Sequence, residues 1–515
     1  MESERIADVI SLRNITALTI CYLAAVAVYR LLFHPLARFP GPKLAAVTRY
    51  YEAYYDVFLN GQFTFKIADL HREYGPIIRI SPYELHVADP AFYEKIYRQD
   101  GRWNKYAWAY DAHSAKHSTI FTTDHYLHRA RRTPMNRFFS KATVSGRQAL
   151  ISRNVDKLWE RISAFALSGK VVDLGAAISE FTRCTAAEFI LDKRYDGLEQ
   201  QHFTATAQHK APPASRSIWH VTKHFPLYGP AIIKWPSYWT KKSQRGNMKS
   251  FLLHLKRTTE HTQELFQNIT SKGSTGHEVS RTIVHEILDS DLPPEEKQFD
   301  RVFLEVATVT GAGIETTASV LRLVCYHVFS DRQILRRLRT ELAFATATSG
   351  VPGLGELRDL EQLPFLTSVI MEGLRLSPGV ATRLARIAPD RDLVYDDKWR
   401  IPAGTPVGMT VLLMHLDETL YPDPRRFDPD RWMDPGFHKK VRNTFVPFSR
   451  GTRICLGMYL AWAEMYLVLA ALVQKFEFVF EGVSAEDFEC VGDQFTIRTR
   501  GGPGLPAVVR KVQDS

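Results

Sequence analysis

Cysteine is scarce: the 515-residue chain has five, Cys21, Cys184, Cys325, Cys455 and Cys490, scattered and without C-x-x-C spacing. That argues against a disulfide framework or a zinc site and suits a reducing compartment. Gly/Ser linkers, internal repeats and low-complexity tracts are missing as well. Length alone allows about three average domains, yet nothing in the sequence divides it. Nor is there an acidic excess. The net charge of +10 points to anionic partners such as acidic proteins, lipid headgroups or nucleic acid. Nucleic acid is set aside, because no binding motif or stacked aromatic pattern accompanies the basic residues. What remains is ordinary, 45% hydrophobic and 24% charged residues, and sufficient for a sizeable core.

Long uncharged runs are also rare, with one exception near the N-terminus. Asn14 to Tyr29 (NITALTICYLAAVAVY) carries no charge, and with Arg30 snorkelling the apolar stretch reaches Phe33, roughly the 20 residues that cross a bilayer. The following HPLARFPGPK is basic, rich in proline and without a small-residue cleavage site, which favours a retained anchor over a signal peptide. Arg30, Arg38, Lys43 and Arg49 follow the run, whereas Glu2, Glu4 and Asp8 precede it, so the positive-inside rule leaves the bulk of the chain in the cytosol. The expected organisation is an anchor over 1–34, a stiff Pro-rich lead over 35–43 and one catalytic domain over 44–515. Helical spacing marks Arg147–Ala166, Glu296–Phe329 and Tyr459–Gln474. A hairpin is expected from IIRIS (Ile77–Ser81) and ELHVA (Glu84–Ala88) around Pro82, and a strand near Phe476–Phe480. The expected fold class is mainly α with small accessory β-sheets.

The most specific signal is FSRGTRICLG, Phe448–Gly457. A thiolate is a good soft ligand for iron and needs protection from protonation. Gly451 and Gly457 allow a tight backbone and close approach to a flat cofactor, and the helix that opens after Gly457 turns its positive end toward a negative sulfur. Arg453 is suited to neutralise a carboxylate on the cofactor edge, and Phe448 to shield the sulfur. A lone cysteine in a Gly-rich loop is ordinarily structural. Chance, however, produces F-x-x-G-x-R-x-C-x-G on the order of once in ten thousand chains of this length. Cys490 serves as an internal control, since it also precedes a glycine by two but lacks the Arg and Phe upstream; it is read as structural.

A second stretch, ATVTGAGIETTAS (Ala307–Ser319), lies inside a helical segment. Gly311 and Gly313 in a helix interior each cost about 1 kcal/mol relative to alanine. A helix that passes close over a flat ligand and opens slightly would justify them. Ala312 and Thr316 stand four apart, so the hydroxyl can bond the loosened carbonyl, and Glu315 beside it can connect to solvent. An acid and an alcohol at an apolar oxygen site are suitable parts for proton delivery to dioxygen. The plain alternative is a small-residue helix crossing with a surface glutamate. Glu372 and Arg375 in EGLR can pair on one helix face, but the same spacing at Glu2/Arg5, Glu180/Arg183 and Glu278/Arg281 is read as solvated pairs. HRARR (His128–Arg132) would by default be a solvated face too.

With these motifs in this order, the sequence resembles the cytochrome P450 superfamily, over nearly the whole chain. The anchor, FHPLARFPGPK and LRLSPGVATRLAR look most like fungal microsomal members of secondary metabolism, the trichodiene oxygenase-like group included. The resemblance implies haem b (iron protoporphyrin IX) with Cys455 as its proximal iron ligand. Arg453, Phe448, Gly451, Gly457, Ala312 and Gly313 would then lie around the cofactor, and Glu315 and Thr316 would be the oxygen-activating pair. Arg132 falls where the family places a propionate-binding arginine, with His128 where tryptophan is common, and Arg383 is a third candidate for the same carboxylates. Glu372, Arg375 and Arg431 (in FDPDRW) would form a buried charge network. The implied activity is insertion of one oxygen atom from O2 into a lipophilic terpenoid, polyketide or alkaloid intermediate, with electrons from NADPH through a membrane-bound NADPH-cytochrome P450 reductase. A reductase-independent isomerase or dehydratase, and a non-catalytic haem sensor, are the alternatives. Membrane lipid is an expected partner and the endoplasmic reticulum membrane the expected location. Arg129, Arg131, Arg137, Lys439, Lys440 and Arg442 are expected to dock the acidic flavin partner. The aromatic stretches Trp103–Phe121 and Ala211–Trp239 are candidates for an entry channel or membrane contact.

Overall fold

The computed structural model describes residues 12–113, 115–199, 203, 218–226, 242–272, 281–349 and 355–512. Tyr228, Trp235, Tyr238 and Trp239 of the second aromatic stretch, and Glu2/Arg5 and Glu278 among the comparison pairs, lie outside these residues.

The uncharged N-terminal run forms α1, Leu12–Val28, continued by a π-helical turn to Phe33. Over Arg13–Phe33 this helix is long and apolar enough to cross a membrane, and none of it is buried. Arg30 does not hang free at its end. It donates to Val47 O at 2.5 Å and to the Tyr83 hydroxyl at 2.6 Å, so the end of the apolar helix is fastened to the body.

The body is built of helices placed largely where the periodicity puts them. The pieces that carry the site are α2 (His125–Phe138), α3 (Gln148–Ser168), α4 (Leu174–Leu191), the short α5 (Ile218–His224), α6 (Phe299–Ser330), α7 (Pro364–Leu376) and α8 (Met458–Lys475). Asp124 caps α2 by accepting from the amides of Tyr126 and Leu127 at 2.9 Å each. Helices α4, α6 and α8 are apolar nearly all round, which is what central helices of a large core require; Phe181, Val324 and Leu467 are among their buried side chains. Small residues let α4 and α6 approach closely: a Cβ on Gly313 would sit 3.4 Å from Ala186 Cβ.

The sheets are accessory, as expected. β1 (Ile77–Arg79), β2 (Leu85–Val87), β3 (Asn104–Lys105), β4 (Arg386–Ile387) and β5 (Pro406–Gly408) form one sheet in the order β1-β2-β5-β4-β3. β1 and β2 are the anticipated hairpin, with Ile78 opposite His86. β6 (Cys490–Gln494) and β7 (Thr496–Thr499) make a second hairpin. The strand Phe476–Phe480 pairs with Pro506–Lys511 in a third sheet. Sequence-distant strands thus meet in the first sheet, and the register of β3 on β4 sets Lys105 directly opposite Arg386.

Candidate functional site

The cysteine run folds as a loop pinned from several sides. The Cys455 amide donates to Phe448 O at 2.9 Å, and Ser449 (φ 60) and Gly451 (φ 75) turn the chain in the left-handed region. A side chain on Gly451 would collide with Arg98 O, 2.5 Å away, so this glycine serves the packing of the loop on residues 97–98 rather than close approach to a cofactor. Gly457 differs: a Cβ there would meet nothing within 4 Å. Cys455 itself is accessible to solvent although protein surrounds it. Burial pushes its thiol up from the ordinary value, while the Gly457 N–H and the Arg132 guanidinium act in the opposite sense. Cys184 and Cys325, by contrast, are closed in and pushed up to about 12 by burial. Cys490 donates to Gly492 O at 3.5 Å within β6, a structural placement.

Helix α6 passes unbroken through Gly311 and Gly313, so the expected loosening is not an interruption of the helix. Its open face is Gly311 and Ala312, which are exposed in the middle of a core element, and nothing lies within 4 Å of a Cβ on Gly311. Gly313 points to α4 instead, away from that face. The Thr316 hydroxyl donates to Ala312 O at 2.8 Å, the bond the spacing suggests. Thr316 packs 3.6 Å from the position of a Cβ on Gly379, which places the Pro378–Thr382 turn beside it. Glu315 is 57% exposed at its side chain and pairs with Arg322.

Around the run stands a cluster of cations whose carboxylate neighbour, Asp124, is turned to the Tyr126 and Leu127 amides and to Arg102. Arg453 spends three N–H groups on the carbonyls of Thr122, Thr123 and Asp124, and its Nε is buried without a partner. Burial, with Arg386 next in size, pulls its pKa down to about 9. Lys105 is driven well below its ordinary value by burial and then by Arg453, Arg386 and Arg132. Burial and the same cations hold His128 far below 6.5, so its imidazole is neutral. Arg132 donates to Asn136 Oδ1 at 3.0 Å. Beside them a cleft of ≈ 670 Å³ is lined by His125, His128, Arg132, Asn136, Gly451 and Ile454. Buried like charges held together without counter-charge are costly. A dianion at this place would relieve them, and an accessible thiol with two glycine positions opening on empty space is what a flat iron-bearing dianion fits.

Three expectations need correction. Arg383 does not join this cluster: it forms a two-bonded pair with Glu84 (2.7 and 2.9 Å) and reaches Glu52 at 3.0 Å. Arg386, three residues on, stands in the cluster with Lys105; neither was anticipated. Arg131 is not a docking cation but a buried partner of Glu296, with both bonds at 2.7 Å. Glu180/Arg183 is not a solvated pair, since the Glu180 side chain is 3% exposed.

Glu372 and Arg375 are fully buried and doubly bonded at 2.8 and 2.7 Å. Glu372 also accepts from the Arg431 Nε at 3.1 Å, from Trp432 Nε1 at 2.9 Å and from the Asp428 amide at 2.9 Å. Arg375 donates its remaining N–H groups to the carbonyls of His415, Pro424 and Arg426. This network contains no group aimed at a ligand. Its place is structural.

Comparison with known proteins gives the same picture. The family model described as Cytochrome P450 matches residues 53–502. The chain is 39% identical to cytochrome P450 monooxygenase tpcC of Cochliobolus heterostrophus, over 89% of this chain and 87% of that protein. It is 35% identical to cytochrome P450 monooxygenase sdnE of Sordaria araneosa, over 94% of each. N-acetyltryptophan 6-hydroxylase ivoC of Emericella nidulans is 35% identical over 96% of each chain.

Proposed function

The chain belongs to the cytochrome P450 family and is a haem-dependent monooxygenase, and from that premise we propose that it inserts one oxygen atom of O2 into a lipophilic secondary metabolite, with electrons from NADPH passed on by a membrane-bound reductase. The observation that carries this reading is the accessible Cys455 within the F-x-x-G-x-R-x-C-x-G loop, beside buried Lys105, Arg386 and Arg453, none of which forms an ion pair among the described residues.

Haem b, when bound, supplies a redox-active iron at which dioxygen is activated. The residues present divide the remaining work. Cys455 provides the sulfur, and the tie between its amide and Phe448 O fixes the loop from which it projects. Arg132, Arg386, Arg453 and Lys105 are placed to balance the two carboxylates, and neutral His128 can still donate one hydrogen bond to them. On α6, Gly311 and Ala312 leave the opposite face free. The Thr316 hydroxyl, donating to Ala312 O, keeps its lone pairs for a hydrogen bond at that face. Glu315, held by Arg322 and open to water, can pass protons from solvent toward it.

The substrate reading rests on the wall around the turn at Phe495. His113 stacks on Phe121 (4.0 Å) and Trp219 (5.2 Å), and Phe495 meets it edge-on at 5.0 Å. Flat aromatic walls suit a flat apolar substrate; the hydroxylase of an acetylated tryptophan among the relatives is consistent with one. Tyr50, Tyr54 and Phe58 are exposed on one face of a helical segment just beyond the apolar N-terminal helix, which supports a domain resting on the endoplasmic reticulum membrane.

The test is turnover in membranes carrying the full chain, a reductase and NADPH, with isotopically labelled dioxygen and a panel of lipophilic and aromatic compounds. One labelled oxygen in product, with NADPH consumed, is expected. Product formed without NADPH would move the reading to an isomerase or dehydratase.

A further inference from the structure

Helix α5 carries no long apolar face into the core; it is fastened by polar side chains, and nearly all of them are buried. Trp219 Nε1 donates to Ala109 O at 2.7 Å, and the Thr222 hydroxyl donates to Ala112 O at 3.0 Å. Lys223, 2% exposed at its side chain, donates to Glu52 Oε1 at 2.8 Å and to Asp56 Oδ2 at 2.7 Å. The other oxygen of Glu52 accepts from Arg383, which is bound to Glu84. His224 Nε2 lies 3.4 Å from Asp56 Oδ2. Beneath the helix, Tyr106, Tyr110, Trp219, Lys223, Arg383 and Phe495 surround a cavity reduced to ≈ 10 Å³. Phe495 continues to the Pro378–Thr382 turn, since the Ala381 amide donates to Phe495 O at 3.1 Å, and that turn touches Thr316. α5 is thereby linked through Phe495 and the Pro378–Thr382 turn to Thr316 on α6.

His220 occupies the decisive position. Its Nε2 is 2.7 Å from Asp493 O, a carbonyl that only accepts, so Nε2 must carry a hydrogen. Its Nδ1 makes no hydrogen bond of good geometry but lies 3.2 Å from Asp56 Oδ2, so a bare nitrogen lone pair there would face a carboxylate oxygen, which favours a proton on Nδ1 as well. Charge balance leads to the same conclusion: Glu52, Asp56 and Glu84 are three carboxylates, and Lys223 and Arg383 are two permanent cations, so the third positive charge falls to His220. Burial raises the Asp493 carboxyl, which accepts from the Thr64 hydroxyl and the Phe495 amide; any charge it carries adds to the acidic side and favours the proton on His220 further. His224 is held below its ordinary value by burial, and His113 is pushed down to about 3 by burial.

We propose that α5 is a gate over the distal chamber, latched shut by this buried ion cluster, and that the proton on His220 sets how firmly it is held. The proposal rests on the monooxygenase reading only for what lies behind the gate. Its pH sense follows from the signs. Burial lowers the His220 pKa, but Asp56 outweighs that and raises it above 6.5. The His220–Asp56 ion pair is therefore complete below 6.5 and is lost as pH rises through the raised value. Glu52 and Asp56 are both lowered, against the effect of burial, by Arg383 and Lys223 and by Lys223 and His220 respectively, so they stay charged across this window.

The experiment uses full-length holoprotein in two readouts. Hydrogen exchange of the peptide over 218–226, corrected for the intrinsic chemical rate, is measured at about pH 6 and about pH 8.5. The binding rate of phenyl isocyanide, whose own charge does not change there, is followed by the Soret band. Wild type is expected to open several-fold more at the higher pH, with the binding rate rising in step. His220→Gln should be open and flat at both pH values, and Lys223→Met should be open at both as a second route to the same state. Equal corrected exchange in wild type at the two pH values, or the wild-type pH dependence persisting in His220→Gln, would overturn the latch. A pH-dependent exchange with no Soret response to phenyl isocyanide would support the latch and count against the haem reading instead.

Discussion

Two groups of buried charges in this molecule are built on opposite principles. Around Glu372 every charge is answered: the carboxylate accepts from Arg375, Arg431, Trp432 and a backbone amide, and Arg375 spends its other N–H groups on three carbonyls. Around Arg453 the cations are met by backbone carbonyls and not by an ion-paired carboxylate: Arg453 donates to Thr122, Thr123 and Asp124, and Arg386 to Leu384 and Ala385. Lys105 faces Arg386 across a strand pair, a like-charge opposition that is ordinarily destabilising, and Arg132 and His128 add to it. The first group finishes the fold by itself. The second is the place we propose for the anionic edge of the cofactor.

The comparison can be broken most forcefully at its closed side. Glu372→Gln should cost about 3–5 kcal/mol of stability by leaving Arg375 buried with an unmatched charge, read by denaturant unfolding. Arg383→Ala should cost about 3 kcal/mol for the same reason, through Glu52 and Glu84, while haem content per folded molecule stays unchanged; a selective loss of haem would return Arg383 to the cofactor site. Arg386→Leu is the sharpest discriminator. It should weaken haem retention about tenfold, the worth of one charge-assisted pair, and leave the apoprotein as stable as wild type or slightly more so, because a repulsion disappears. Equal losses in apo and holo forms would make Arg386 another structural cation.

The smallest effect is a pH slope. His128 is held below its ordinary value in the fold and titrates near 6.5 when unfolded, so the unfolded chain binds the extra proton and apoprotein stability falls as pH drops below 6.5. His128→Trp should remove about 1 kcal/mol of that loss over the first pH unit below 6.5. An unchanged slope would mean that other buried histidines such as His86 and His415 account for it.

How much of this was legible follows from where the partners sit in the chain. The cysteine loop, the Ala312–Thr316 step and the Glu372/Arg375 pair are local spacings, and the structure places them as the spacings suggest. The β1–β2 hairpin and the strand Phe476–Phe480 were legible for the same reason. Arg386 was missed although it lies three residues from Arg383, because the choice between them is made by β3 and by Glu84, roughly 300 residues away in sequence. Arg131 was misassigned because helical position alone does not show that Glu296 covers it. The ion cluster under α5 joins residues 52–56, 84, 220–224, 383 and 493, and no local pattern announces it.

The central claim is that the Cys455 sulfur holds iron while the Gly311–Ala312 face of α6 stays open. It is tested most directly by the Soret band of the reduced carbon monoxide complex of the purified full chain. The account predicts a thiolate-type band in wild type and its loss in Cys455→His, which would move the band to the position of nitrogen ligation. A wild-type band already at that position, or a thiolate-type band surviving in Cys455→Ala, would contradict it.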